Sequence, residues 1–322
     1  MLLEREINFE SDVTLKGTVI IPEHQAENIP LVVIIHGSGP VDRDGNVKGM
    51  EMNAYKYIAE FFASLGIASL RYDKRGAGES GGDFYTTGMW DLVNDGAAAV
   101  EAVRKLPEIN PERIFLLGHS EGAVLLPAIN KKAQAAGLIF LAGQADNVRN
   151  ASEMQVNILE EEVRNMQGLQ GKFLRALNIH KSSAEKQRKL FDEIARSDKV
   201  VLRKGLAKVN AKWLREHFEY KLTEDLASVS CPVLAVTGSK DVQVDPQHTH
   251  IIAEKVNGPA EAYIIEDMNH ILRDQEEPIT MMKVKTIYKT SINKPLSPKL
   301  FSVLKTWTEK NILNPIQAYN PK

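Results

Sequence analysis

The chain has 322 residues, a formal net charge of −2, and 43% hydrophobic against 25% charged residues. This is the composition of a globular chain whose length suits one α/β sheet enzyme with an insertion. The charge balance excludes a general attraction to nucleic acid or anionic lipid, and a single cysteine, Cys231, excludes an internal disulfide or a Cys-based structural zinc site.

Residues 4–9 and 14–21 read as short strands joined by a turn near Glu10 to Asp12. LVVIIHG (31–37) is a continuous apolar run ending in glycine, which predicts a strand buried on both faces. Tyr55, Ile58, Phe62 and Leu65 then recur at helical spacing over 52–65, stopped by Gly66. A strand over 67–72, a helix over 89–105, a strand over 113–118, a helix from Glu121 and a strand over 137–143 continue the rhythm.

The pattern breaks after Gln144. Residues 147–228 are rich in Glu, Lys and Arg, with apolar residues at helical spacing, and they predict several short helices and no strand until 231–238. The division expected is therefore a core of 1–146 and 229–322 with a helical lid or cap insertion over 147–228. A helix near 247–256, a last strand over 262–267 and a closing helix over 297–310 follow, the last with Ser297 as N-cap and Pro298 at its first position. Pro127 conflicts with the helix after Glu121, where it costs a backbone hydrogen bond. MLLEREINFE is not a signal peptide, and no apolar run nears the ~20 residues that span a bilayer, so a cytoplasmic location without membrane spans is expected.

Strands alternating with helices imply a mainly parallel sheet with helices on both faces, and ligands bind beyond the carboxyl ends of such strands. After strand 113–118 stands Gly118-His119-Ser120-Glu121-Gly122. A serine on a strained strand–helix turn needs glycine on either side, because side chains there meet neighbouring backbone. A serine hydroxyl also needs a base held by a third group. Asp241 lies just past strand 231–238 and His270 just past strand 262–267, in the chain order Ser, acid, His. Asp245 stands further from its strand and precedes Pro246, which suits a turn or N-cap; His36, His119, His248 and His250 fit the base position less well than His270. For a developing oxyanion the amides of Glu121 and Ser38 are the expected donors, with Gly39 as fallback, since His36-Gly37-Ser38-Gly39-Pro40 follows strand 31–37. Trp213 and Phe218 of the insertion are the expected substrate-binding side chains.

Two other patterns carry less. Gly76-Ala77-Gly78-Glu79-Ser80-Gly81 has the spacing of a dinucleotide loop, but no helix follows at once to meet a pyrophosphate. Asp73, Lys74 and Arg75 beside it read as an ion-pair and turn cluster. Asp42-Arg43-Asp44-Gly45 begins like a calcium loop and lacks its remaining ligands. No cofactor and no metal are expected.

The stretches LKGTVIIP (15–22), HGSGPVDRDG (36–45), RYDKRGAGES (71–80), GHSEGA (118–123), WLREHFEY (213–220), CPVLAVTGSKDVQVDP (231–246) and MNHILR (268–273) together resemble the lidded bacterial carboxylesterases of the α/β-hydrolase superfamily, EstD-like and serine-aminopeptidase-like. The resemblance implies an α/β-hydrolase fold: an eight-stranded, mostly parallel sheet with an antiparallel edge, flanked by helices, and a helical lid after the sixth strand. It carries the nucleophile onto Ser120, the acid onto Asp241 and the base onto His270, and implies that the proline at 127 is tolerated. It is weakest in the insertion and after Asp274, where the segment from Ile271 to Pro298 is long and Lys-rich. The expected activity is hydrolysis of short to medium acyl carboxylic esters through an acyl-enzyme. Thioesterase, small-aminopeptidase and lactonase activity on the same residues are the alternatives, and a non-catalytic ligand-binding protein on this scaffold is a further one. The expected partner is a small-molecule ester, not nucleic acid, and a homodimer is allowed.

Overall fold

A computed structural model describes residues 2–23, 27–176 and 179–314, without the side chains at 2, 170, 176 and 179–183. Its centre is an eight-stranded sheet. Strands β1 (Leu2–Glu10) and β2 (Thr14–Pro22) form an antiparallel edge. Next to it lie β4 (Ala68–Tyr72), β3 (Ile29–Ile35), β5 (Ile109–His119), β6 (Gly137–Leu141), β9 (Val233–Gly238) and β10 (Ala260–Ile265), all parallel to one another, in the order β1-β2-β4-β3-β5-β6-β9-β10.

Strand β3 shows why the run at 31–37 is apolar without alternation. Leu31, Val33 and Ile35 pack in one core with Val93 and Val100 of α2 (Met89–Arg104) and Leu125 and Ile129 of α3 (Glu121–Ala133). Val32 and Ile34 pack in the other, with Ile58 and Phe62 of α1 (Ala54–Ser64) and Leu300, Leu304 and Trp307 of α11 (Pro298–Thr308). Successive side chains point to opposite faces, and both faces are covered. Each such side chain, fully buried, contributes about 1.5–3 kcal/mol. Pro127 lies inside α3, which runs on to Ala133 despite it.

Between β6 and β9 the chain forms α4 (Val148–Asn165), α5 (Gly168–Ala176), α6 (Ile179–Arg196), α7 (Ala211–Glu219) and α8 (Leu222–Leu226). It also forms a hairpin, β7 (Val201–Lys204) and β8 (Ala207–Asn210), where only helices were expected. The turn uses Gly205 at φ 62°, open to a glycine without strain. Ile194, Leu202 and Ala211 give this insertion a small core of its own. Polar contacts fix it to the sheet layer: Lys212 to Asp91 at 2.7 Å, Asn210 Nδ2 to the carbonyls of Phe84 and Thr87 at 2.8 and 2.6 Å, and Gln155 Nε2 to the carbonyl of Gln243 at 3.0 Å.

The long segment after His270 is ordered around α10 (Val284–Ser291), whose Ile287 and Tyr288 pack on Ile271. Its start is bound to the insertion, since Glu162 of α4 accepts from Thr280 Oγ1 at 2.9 Å, from Met282 N at 3.1 Å and from Met281 N. Among the described residues no helix is long and apolar enough to cross a membrane.

Candidate active site

Ser120 joins β5 to α3 with φ 55° and ψ −115°, a left-handed conformation that a non-glycine residue adopts only under constraint. The flanking glycines explain how the turn closes. A Cβ on Gly118 would stand 2.5 Å from the Ala123 nitrogen, and one on Gly122 would stand 2.2 Å from the Ile35 oxygen. The turn is held against the sheet by the Ser120 N–H, which donates to the Leu141 carbonyl at 2.9 Å.

The loops after β9 and β10 bring Asp241 and His270 to this turn. His270 Nε2 lies 3.0 Å from Ser120 Oγ, and His270 Nδ1 lies 2.8 Å from Asp241 Oδ2. The other carboxylate oxygen of Asp241 accepts the N–H groups of Gln243 at 2.8 Å and Val244 at 3.0 Å, which fixes the plane of the carboxylate. Both Asp241 and His270 are buried. Asp245 stands apart from this line and accepts from the N–H of Gln247 at 2.9 Å, forming the turn into α9 (His248–Lys255).

His119 supports the line from behind. Its Nε2 lies 2.9 Å from the His270 carbonyl, which can only accept, so Nε2 carries the proton and Nδ1 accepts. Tyr55 Oη, 3.1 Å from that Nδ1, is then the donor, and in turn it accepts the Gly37 N–H at 2.9 Å. Burial, followed by the neighbouring His270, pulls His119 down to about 4, so it is neutral near pH 7. His36 is likewise pulled down to about 4, by burial first and Lys74 next, and contacts the Tyr72 carbonyl.

The side chain of Glu121 is the largest feature that motif reasoning missed. It is buried beside the serine, and Lys74 Nζ donates to its Oε2 at 2.6 Å. His217 Nε2 donates to Oε1 at 2.9 Å, and the indole N–H of Trp213 donates to the same oxygen. Burial alone raises a carboxyl pKa; the charges and hydrogen bonds of Lys74 and His217 outweigh it and hold Glu121 at about 2. Lys74 also donates to the Gly37 carbonyl at 2.8 Å, tying the loop after β3 to the Ser120 turn. Its neighbours form separate pairs: Asp73 with Arg43 at 2.8 Å, and Arg75 with Asp95.

Ser120 opens onto a cavity of about 100 Å³. Ser38, Glu121 and Val124 form its floor with Gln144, Gln243 and Val244 from the loops after β6 and β9, while Val148, Ala151, Ser152 and Gln155 of α4 and Trp213 of α7 complete it. Ser38 and Glu121 thus lie together with the serine, and the amide of neither donates to another group among the described residues. Gly39 is not part of this lining; at φ 98° its carbonyl accepts from Val41 N in a tight turn. Trp213 lines the cavity and Phe218 does not. Trp213 and His217 are four residues apart and share one face of α7. Phe218 falls on the other face, against Phe191 and under the guanidinium of Arg149, in the insertion's own core. A larger cavity of about 1000 Å³ lies near Tyr57, Phe61 and Lys294 and includes none of these residues. Among the described residues no cluster of His, Cys, Asp and Glu is arranged to hold a metal ion, and no helix begins on the Gly76–Gly81 loop, the next starting at Met89.

Known proteins share this fold. Residues 28–276 match the model of the family described as serine aminopeptidase, S33. The esterase EstD of Thermotoga maritima is 27% identical over 292 residues, which are 88% of this chain and 66% of that protein, so the chain spans just under two thirds of that relative's length. Est1E of Butyrivibrio proteoclasticus, solved with ferulic acid bound, superposes with a TM-score of 0.58 at 17% identity over 88% of this chain and 96% of its own. The α/β hydrolase GrgF of Penicillium sp. sh18 gives 0.60 at 15% identity over 97% and 99%. The sheet is that of an α/β hydrolase, and the chain belongs to the serine aminopeptidase S33 family of that fold.

Proposed function

We propose that the chain is a serine carboxylesterase acting on small esters through an acyl-enzyme. The observation that carries this reading is the hydrogen-bonded line from Asp241 through His270 to Ser120 Oγ, at 2.8 and 3.0 Å, on the floor of a cavity. As Oγ bonds to the ester carbonyl carbon, His270 Nε2 takes its proton, and Asp241 holds the imidazole in the tautomer with Nε2 free to accept. The Ser38 and Glu121 amides receive the developing oxyanion. His270 passes the proton to the departing alcohol oxygen. Water then attacks the acyl-enzyme by the same route, releasing the acid and restoring Ser120.

The insertion serves as the lid of this site, since α4 and α7 supply part of the cavity wall. Its volume favours short acyl groups: a 150 Å³ cavity holds a six-carbon ring, so about 100 Å³ admits roughly four heavy atoms. Aminopeptidase activity is disfavoured by the charges. A substrate ammonium needs a carboxylate, and Glu121, the acid on the cavity wall, is already engaged by Lys74, His217 and Trp213.

The test is labelling with a fluorophosphonate and p-nitrophenyl acetate turnover, wild type against Ser120→Ala. The reading expects labelling and a stoichiometric burst of p-nitrophenol that both vanish in the variant. A folded wild type that neither labels nor turns over would return the chain to the ligand-binding alternative.

A further inference from the structure

The cavity wall around Ser120 carries several neutral polar side chains, Ser38, Gln144, Ser152, Gln155 and Gln243. Gln144, in the loop after β6, is 7% exposed and lines the cavity, yet its carboxamide makes no hydrogen bond to any described residue. Its carboxamide nitrogen and oxygen stay open to the cavity and are left to water or to a ligand. It offers two donors and an acceptor to whatever enters. Ser152 on α4 lines the same space, and its hydroxyl is likewise uncommitted among the described residues. Gln155 and Gln243 each spend an amide N–H elsewhere, on the Gln243 carbonyl and on Tyr288 Oη, and keep their side-chain oxygens as acceptors. The one charged side chain of the wall, Glu121, is neutralised in place by Lys74.

We infer that Gln144, with Ser152 and Gln155, forms a neutral polar subsite that binds a hydrogen-bonding group on the substrate. The substrate class is then a compact ester carrying an uncharged ether, hydroxyl or amide group within about four heavy atoms of the carbonyl, in preference to an ester with plain alkyl chains. The inference rests on the esterase reading and extends it. A wall built to hydrogen-bond a ligand rejects the isostere that lacks the polar atom, because the wall's own groups are left unpaired, whereas an apolar pocket discriminates far less.

The experiment compares isosteric ester pairs that differ by one oxygen in place of a methylene: p-nitrophenyl methoxyacetate against butanoate for the acyl side, and 2-methoxyethyl acetate against butyl acetate for the alcohol side. Each kcat/KM is divided by the ester's rate of hydroxide hydrolysis, which removes the intrinsic reactivity of the ether. The expected result is at least a roughly tenfold preference for the ether in one pair. Gln144→Leu reverses that preference, lowering the ether and raising its alkyl partner, and Gln144→Asn, which keeps a shortened carboxamide, falls between. Wild-type enzyme that labels with fluorophosphonate and turns over both members of each pair equally overturns the subsite and leaves the esterase reading standing. An ether preference that persists in folded Gln144→Leu also overturns it. Absence of both labelling and turnover in folded wild type overturns the two together.

Discussion

Lys74 Nζ lies 2.6 Å from Glu121 Oε2 and 2.8 Å from the Gly37 carbonyl oxygen, so one buried ammonium joins both peptide segments assigned here to the oxyanion. The Gly37 carbonyl belongs to the same planar peptide as the Ser38 N–H. Holding the oxygen on one side fixes the direction of the N–H on the other. Lys74 is thereby placed to position one of the proposed donors, and it is the counter-charge for the side chain beside the second.

Lys74→Met tests that role. Removing one partner of a buried ion pair leaves the other uncompensated, so unfolding free energy should drop by about 3–5 kcal/mol. The Ser38 amide also loses its brace, and kcat should fall about 10–100-fold with KM little changed, since losing an oxyanion donor outright costs about 100–1,000-fold. Lys74→Met combined with Glu121→Gln removes the stranded charge and should recover part of the stability without recovering kcat. Urea titrations and p-nitrophenyl acetate kinetics measure both effects. A kcat that recovers together with stability would assign Lys74 a purely structural role.

Burial of neutral histidines predicts a pH dependence of stability. His36 and His119 are each lowered to about 4, from an ordinary value of 6.5. Between those values the unfolded chain binds protons that the folded chain refuses, so stability rises with pH across this window. Each contribution is fully present above about pH 6.5 and is lost as pH falls towards 4, by about 3 kcal/mol per histidine. Glu121 acts lower down: with a folded value of about 2, its contribution is present above the ordinary carboxyl range near 4.5 and is lost as pH falls through 2. Denaturation midpoints from pH 7.5 to 4 should decline, and His119→Gln should flatten the decline. An unchanged slope in that variant would contradict the neutral assignment.

The sequence made the sheet and the Ser120 line legible because each depends on local signals. β3, β6 and the first four residues of β9 are near-continuous apolar runs, and the residues proposed for chemistry follow directly after strands. What stayed hidden depends on contacts far apart in the chain. Lys74 and His217 lie 47 and 96 residues from Glu121, and no spacing rule connects them. The hairpin at 201–210 has four-residue strands, and only Leu202 in them is buried, so it shows no apolar alternation. Phe218 has the aromatic ring of a pocket residue, but its place five residues after Trp213 turns it to the opposite face of α7.

Asp241→Asn should cost activity through the tautomer of His270. The Gln243 and Val244 amides donate to Asp241 Oδ1, so an asparagine would present its oxygen to them and its NH₂ to His270 Nδ1. Nδ1 must then accept, the proton moves to Nε2, and Nε2 can no longer take the proton of Ser120 Oγ. The expected loss in kcat is about 10,000-fold with the fold intact. Fluorophosphonate labelling should slow in parallel. Normal labelling kinetics in a folded Asp241→Asn protein would remove Asp241 from the proposed role.

Glu162 offers a test of the insertion as a lid that leaves the chemistry alone. Its carboxylate gathers Thr280 Oγ1 and the N–H groups of Met281 and Met282, joining α4 to the segment after His270. α4 also supplies Val148, Ala151, Ser152 and Gln155 to the cavity. Glu162→Ala removes three hydrogen bonds to a charged acceptor, each worth about 1.5–3 kcal/mol when formed in a buried setting and less where water reaches them. The carboxylate does not touch the line from Asp241 to Ser120. Loosening α4 should therefore raise KM for p-nitrophenyl esters several-fold, hold kcat within about threefold, and hasten proteolytic cleavage between β6 and β9. If KM and cleavage rate both match wild type, α4 is held by its other contacts and the joint at Glu162 does not govern access to Ser120.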